Sequence, residues 1–437
     1  MSQPRVIIVG GGFAGLAAAK ALRSTAAELM LIDRTNHHLF QPLLYQVATS
    51  VLTPSQIATP IRSILRNQKN TTVIMGEVTG IDKDQRCVVV SDADRQNVSI
   101  PYDYLILATG ASHSYFGHNE FAEYAPGLKS LADAEAARNK ILQAFELAEA
   151  EEDPTRHRDL LTFILVGAGP TGVEMAGALA IFVRSTLKSN FRRIDPATTR
   201  IVLVDGTHVL GSFSESLSKA AKQRLEKLGV EVRLGHSVDR IDAEGVVIEG
   251  ERIASKTVIW TAGVAPSPAG KWLKVETDRA GRVRVQKDLT VPGHPEIFVV
   301  GDTASLDQNG KPLPGVAQVA IQQGRYAGKS IHNRIAGNPP PFPFRYFDKG
   351  NMAVVGKGFA VLQSGKVQIS GFGAWLTWAA VHLQFLATSS LRLGVFLQWI
   401  WTYVTGQRGD RLIVNRHGSE IAKPAPDSAA KSTFAGT

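Results

Sequence analysis

The sequence predicts an α/β fold made of two dinucleotide-binding units and closed by a C-terminal pair of amphipathic helices. Three observations carry that prediction. A strand, glycine turn, helix, strand pattern occurs twice, over residues 5–33 and again over 161–205. Three further apolar strands end on small-residue turns, and the stretch after Gly371 is aromatic and almost uncharged. At 437 residues the chain is too long for one ordinary core, so two or three domains are expected. A hydrophobic fraction of 44% suits a folded body rather than a polytopic membrane protein. The net charge of +9 admits nucleic acid, anionic lipid or anionic substrates, and the absence of a compact Lys/Arg block argues against nucleic acid. The opening "MSQPRVIIVGGG" has no charged region followed by an apolar one, so no secretory signal is expected. One cysteine, Cys87, excludes an intrachain disulfide and a CxxC redox pair, and it reads as a small hydrophobe in a strand.

The first unit is "RVIIVGGGFAGLAAAKAL". An apolar strand runs through Gly10-x-Gly12-x-x-Gly15 into an Ala-rich helix, and a second strand, "ELMLID", ends on Asp33. Gly10 permits the tight turn, Gly12 lets the backbone approach a pyrophosphate, and Gly15 allows helix and strand to touch. The helix start offers unpaired N–H groups and a positive dipole end to phosphates. Asp33 is placed to bind ribose hydroxyls.

The second unit, "LTFILVGAGPTGVEMAGALA", repeats the pattern with Gly167-x-Gly169-x-x-Gly172, and "RIVLVD" ends on Asp205. The gap to Asp205 exceeds the usual ~20 residues, and the basic stretch "RSTLKSNFRR" fills it as a helix end and loop. Two complete Rossmann-like units argue for two dinucleotides bound together. An acid at Asp205 with no Arg in the following "GTHV" favours a free 2′-hydroxyl, hence NADH over NADPH.

"YDYLILATGA" and "KTVIWTAGVAP" each end a strand on a small-residue turn, and "EIFVVGDTA" ends one on Gly301-Asp302. A carboxylate at Asp302 can accept hydrogen bonds from a polyol chain; capping of the next helix is the competing reading. No His/Cys/carboxylate cluster has metal-ligand spacing. From Phe372 to Leu391 no charged residue occurs, and four of the six Trp residues (Trp375, Trp378, Trp399, Trp401) fall between Phe372 and Gln407. His382, Gln384 and the "TSSLR" break make a spanning helix costly. Two helices lying in a membrane interface, anchored by Trp, fit better than a spanning helix or a dimer interface. Arg392, Arg408, Arg411 and Arg416 would meet anionic headgroups, and residues 417–437 read as a disordered tail.

The order GGGFAGL, ATG, GAGPTGVE, TAGV, GDTA is similar to the two-dinucleotide-domain flavoprotein reductases. With "FQPLLYQVAT", "AQVAIQQG" and the aromatic tail, the chain resembles type II NADH:quinone oxidoreductases over nearly its whole length. The resemblance implies non-covalent FAD in the first unit and NADH in the second, with electrons passed to a quinone without proton pumping. It also implies a homodimer attached to the cytoplasmic face of the cell membrane. It divides the chain into an FAD domain (1–115 with 285–340), an NADH domain (116–284), bridging strands (341–371) and membrane helices (372–416).

Carried onto this sequence, the resemblance gives as FAD contacts Gly10, Gly12, Phe13, Ala14, Gly15, Asp33, Arg34, Tyr45, Thr49, Ala108, Thr109, Gly110, Asp302, Ala317 and Gln318. The NADH contacts are Gly167, Gly169, Pro170, Thr171, Gly172, Glu174, Asp205 and Gly263. "FQPLLYQVAT" would line the flavin ring. A helix starting at Ala317–Gln318 would aim its dipole at the reduced flavin, and Gln318 and Gln322, one turn apart, would hydrogen-bond a quinone carbonyl. Glu174 would sit at the contact of nicotinamide and flavin, unless it is only a favourable charge at a helix start. His382 reads as a packed histidine more readily than as a proton donor. The single cysteine excludes dithiol and sulfide:quinone chemistry of the same fold. A ferredoxin-reductase-like enzyme and a redox-sensing scaffold stay open as alternatives.

Overall fold

The computed structural model describes residues 3–414. The strand Arg5–Val9 lies inside a six-stranded sheet ordered Thr290–Val291, His294–Val299, Tyr104–Leu107, Arg5–Val9, Glu28–Asp33, Thr71–Met75. All neighbours are parallel except the Thr290–Val291 edge. Val6 to Val9 are all buried, as an apolar run covered on both faces requires. The strands come from residues 5–107 and 290–299, so the chain leaves this sheet and returns to it.

In between it builds a four-stranded parallel sheet ordered Val230–Leu234, Arg200–Asp205, Thr162–Val166, Thr257–Trp260. The outgoing and returning chains pair as antiparallel strands, Ala111–His113 with Val264–Pro266, and this ties the two sheets at their junction.

The later alternating stretch forms a three-stranded antiparallel sheet, Asn351–Val354, Ala360–Ser364 and Val367–Gly371. Its expected first part, "FRYFDKG", carries no strand. That segment is held by side chains instead: Gln308 and Gln322 exchange hydrogen bonds with the backbone of Tyr346 and Phe347.

Two helices follow, Phe372–Phe385 and Ser389–Thr405, and Thr388 caps the second by accepting from the Leu391 N–H at 3.3 Å. Among the described residues no helix is long and apolar enough to cross a membrane. The second helix is apolar on both sides. Val395 is buried and Trp399 half-buried, while Leu393, Leu397, Ile400, Trp401 and Val404 are exposed.

Two expectations are corrected here. Only Trp401 of the four tail tryptophans is exposed; Trp378 is buried, and Trp375 and Trp399 pack on the core. Arg408 does not face headgroups. It is buried, lies over the Phe182 ring at 4.9 Å, and donates to the carbonyls of Thr49 at 2.6 Å and Ala178 at 3.2 Å. The physical reason is carbonyl supply, since a short helix ending at Thr49 leaves an acceptor inside the protein that a guanidinium can satisfy. Beyond it, Asp410 pairs with buried Arg138, and Asn139 exchanges two hydrogen bonds with the Val414 backbone. Arg416 and the 417–437 tail lie outside the described residues.

Replacing Arg408 by Ala removes a buried stem and orphans the Thr49 carbonyl. Chemical denaturation is expected to show a loss of about 2–4 kcal/mol, and a loss within error of zero would remove Arg408 from the list of fold-holding residues.

Candidate active site at the junction of the two nucleotide units

The two glycine turns are built alike. A β-carbon on Gly15 would collide with the carbonyl oxygen of Gly10, and one on Gly172 with that of Gly167, so each helix meets its strand backbone to backbone. Gly12 and Gly169, at the helix N-caps, differ: a β-carbon there would meet no protein atom within 4 Å. Packing therefore does not require glycine at these two positions. A side chain would instead fill the approach to the free N–H groups of the helix start.

The strand-end acids also match. Asp33 accepts from the N–H of Gly11 at 2.6 Å and of Thr35 at 2.7 Å; Asp205 accepts from Ala168 and Thr207, both at 2.7 Å. Each carboxylate thus braces its own glycine turn.

A cavity of about 600 Å³ opens between the units. The first unit contributes Gly10, Gly12, Phe13, Ala14, Asp33 and Arg34 to its wall, and the second contributes Pro170, Thr171 and Glu174. The junction adds Ala108, Thr109, Gly110 and Gly263; the returning chain adds Asp302, Ala317 and Gln318; and Tyr45 completes it. Gly15, Gly167, Gly169, Gly172, Asp205, Thr49 and Gln322 are not on the wall. Thr49 donates its hydroxyl to the Tyr45 carbonyl at 2.8 Å, which uses it to end its own helix. Both polar atoms of Gln322 are taken by the Phe347 backbone, at 2.9 and 3.0 Å, so it clamps a loop.

Gln318 is on the wall, with one of its two amide hydrogens already committed. Its Nε2 donates to the Gly350 carbonyl at 3.0 Å, and a carbonyl can only accept, so the amide orientation is fixed. The buried atom left without a partner is Oε1, an acceptor, whose complement is an N–H or O–H rather than a carbonyl. The helix Ala317–Ile335 has no side-chain cap, which leaves its first N–H groups for the cavity.

Lys129, which no motif marked, also lines the cavity and lies 3.6 Å from Asp302. His382 lines it as well. Its Nδ1 is 2.8 Å from the Trp378 carbonyl, which places the ring hydrogen on Nδ1, and burial pulls its pKa down to about 4. The ring is neutral at pH 7 and is no proton donor.

A second cavity, of about 130 Å³, lies against the C-terminal helices, with Trp378, Trp399, Tyr403 and Arg408 on its wall. Tyr45 and Glu174 line both cavities and form the partition. Glu174 is buried, and among the described residues its one hydrogen bond comes from the Val354 N–H at 3.4 Å. Burial pushes its pKa up to about 8, so the carboxyl keeps its proton at pH 7.

The pyridine nucleotide-disulphide oxidoreductase family model matches residues 4–324. The type II NADH:quinone oxidoreductase Ndh of Mycobacterium tuberculosis is 45% identical over 452 aligned positions, covering 99% of this chain and 96% of that one. The chain belongs to the type II NADH:quinone oxidoreductases. Solved structures share the fold. The Plasmodium falciparum NDH2 complex with NADH has a TM-score of 0.86 at 21% identity, covering 94% of this chain and 100% of that one. The sulfide:quinone oxidoreductase of Aquifex aeolicus has a TM-score of 0.71 at 18% identity, covering 90% and 92%. In this family member the single cysteine, Cys87, is buried in the strand Cys87–Ser91 and lines neither cavity.

Two predictions follow from the geometry. Gly12→Val should cut the nucleotide released on heating at least about tenfold with far-UV circular dichroism unchanged, because the side chain meets only the ligand's space. Gly15→Ala should instead lower Tm. Equal effects of the two on folding would overturn this division.

The second concerns Glu174, whose folded pKa of about 8 lies above the ordinary carboxyl value of 4.5. Between those values the folded chain holds a proton that the unfolded chain has released, so stability is lost as pH rises through the window. Glu174→Gln never ionises. Its stability relative to the parent should therefore increase from about pH 5 to about pH 8, and a difference flat with pH would show that Glu174 is ionised in the fold.

Proposed function

We propose that this chain is an FAD-dependent oxidoreductase that takes electrons from NADH and delivers them to a membrane quinone: NADH + H⁺ + quinone gives NAD⁺ + quinol. The observation that carries the reading is a cavity walled by residues of both nucleotide units and parted from a second cavity, under the C-terminal helices, by Tyr45 and Glu174. We assign FAD to the unit of residues 1–115 with 285–340 and NADH to that of 116–284.

The residues suit FAD. Gly12 leaves the helix start open to a pyrophosphate, Asp302 offers an acceptor for ribityl hydroxyls, and the free Oε1 of Gln318 complements an imide N–H. When bound, FAD supplies a ring that accepts two electrons as hydride and can release them to a second acceptor. The chain's own contribution is position and field. The uncapped start of Ala317–Ile335 favours negative charge at the cavity, and Lys129 adds a cation held by Asp302. Glu174, carrying its proton, can donate a hydrogen bond without placing charge beside the reacting rings.

The exposed apolar side of Ser389–Thr405, with Trp401 in it, supports monotopic attachment to a bilayer whose quinone enters beside these helices. A homodimer and a cytoplasmic-face location enter through the family resemblance.

The test is an absorbance spectrum of the purified chain followed by anaerobic titration. A flavin band that NADH bleaches and quinone restores is expected. Bleaching without restoration would favour a redox-sensing scaffold. NADH should exceed NADPH in kcat/KM by at least about tenfold, because a 2′-phosphate would meet the Asp205 carboxylate. Asp205→Ala should narrow that ratio mainly through the KM for NADH, and equal use of both cofactors by the parent would refute the assignment.

A further inference from the structure

Among the described residues, Trp399, Gln46 and Tyr45 form a chain of hydrogen bonds whose direction is fixed at one end. An indole nitrogen can only donate, and the Trp399 Nε1–H donates to Gln46 Oε1 at 2.7 Å. The other end of that amide, Nε2, must then face Tyr45, and it donates to the phenol oxygen at 2.9 Å. Flipping the amide would set N–H against N–H. The Tyr45 oxygen is therefore held as an acceptor, and its own hydrogen has to point elsewhere.

Among the described residues no protein group accepts that hydrogen. Tyr45 is 5% exposed and lines both cavities. Burial, with Glu174 nearby, holds its pKa well above the ordinary phenol value, so the hydrogen stays on the oxygen at every working pH. A buried donor without an acceptor, on a side chain that lines two cavities, is a binding group in want of a ligand.

We propose that the Trp399–Gln46–Tyr45 relay presents the Tyr45 hydroxyl to a carbonyl oxygen of the quinone, with Gln46 and Trp399 as positioning residues. This rests on the quinone reading above. The bond is donated, not broken: as electrons arrive the carbonyl oxygen gains negative charge and the hydrogen bond to it strengthens, which favours the reduced form. Trp399 also lies on the helix with the exposed apolar side and packs on Trp378 with ring centroids 5.3 Å apart. The seating of the C-terminal helices therefore sets the direction of the donor.

The experiment is stopped-flow on the full-chain holoenzyme: anaerobic flavin reduction by NADH, then reoxidation by a ubiquinone carrying one isoprene unit, with ferricyanide as a control acceptor. Tyr45→Phe, which deletes one oxygen, should slow reoxidation by quinone at least about tenfold and leave the other two rates within about twofold. Gln46→Glu should do the same with the tyrosine intact, because a carboxylate accepts from Trp399 and Tyr45 together and draws the hydroxyl away. Trp399→Phe frees the amide to flip and should slow the same step by about threefold or more. The Tyr45→Phe/Gln46→Glu double variant should be no slower than either single one.

A purely structural role would lower flavin content and all three rates together, and that result overturns the proposal. Tyr45→Phe that slows reduction by NADH as much as reoxidation would assign the donor to the flavin and overturn it too. Parent enzyme that quinone reoxidises, with Tyr45→Phe equal to it, overturns the relay alone. Parent enzyme that quinone does not reoxidise overturns the function reading and the relay's substrate with it.

Discussion

Backbone contact at Gly15 and Gly172 is the constraint on which the other features depend. With no β-carbon in the way, each nucleotide helix starts directly beyond the carboxyl end of its strand and lies close against it. That placement exposes the helix's first N–H groups at one edge of the sheet. The neighbouring strand then ends on an acid, Asp33 or Asp205, whose oxygens tie down the turn through two backbone N–H groups. The paired strands Ala111–His113 and Val264–Pro266 join the two sheets, and the walls of one cavity come from both units. Loosening either glycine contact would move a helix start and with it one half of that cavity.

Three titratable groups on the cavity wall are held neutral. Glu174 and His382 are both neutral at pH 7, one because burial raises its pKa and the other because burial lowers it. Tyr45 keeps its proton. Lys129 and Asp302, also on the wall, form a balanced charged pair. A site in which charge arrives with electrons gains from fixed dipoles, such as the start of Ala317–Ile335, that need no reorganisation when the charge appears. A permanently ionised Glu174 would oppose arriving negative charge through a low-dielectric wall. Its burial is therefore as much a part of the site as its carboxyl group.

The parts of this architecture legible in the sequence are those set by neighbours along the chain. Glycine spacing after an apolar strand fixes a turn, a helix start and the reach of a strand-end acid, and so Gly10, Gly12 and Asp33 could be named without coordinates, while Thr171 and Glu174 came only with the family resemblance. Residues whose role is decided by distant partners could not. Gln46 meets Trp399 across 353 positions and Thr49 meets Arg408 across 359. Arg408, read locally, is one of several cations after an aromatic helix and looks like a headgroup ligand. Only the packed fold shows a free carbonyl waiting for it. Gln318 and Gln322 share a helix face by their spacing, yet the loop at 347–350 takes both atoms of one and a single atom of the other. Helical periodicity gives the faces of the tail helices. It does not say which face another element will cover.

That last ambiguity bears on what the C-terminal helices are. Their outer side is apolar and exposed, as a bilayer anchor requires, but the inner side forms a roof. Trp378, Trp399, Tyr403 and Arg408 wall the second cavity, and Trp399 fixes the polarity of the hydrogen bonds that reach Tyr45. Arg138 with Asp410, and Asn139 with Val414, then fasten the chain beyond the second helix to the helix Leu131–Ala150. The exposed apolar side and the roof are thus opposite sides of the same helices. Removing the segment after Gly371 would open the second cavity and orphan the Thr49 carbonyl as well as delete apolar surface, so it would not isolate membrane attachment. Polar substitutions confined to Leu397, Trp401 and Val404 alter the outer side while leaving Val395, Trp399 and Arg408 in place. The separation works because a helix turns its side chains every 3.6 residues, so one strip can face lipid while the next holds the partition of the active site.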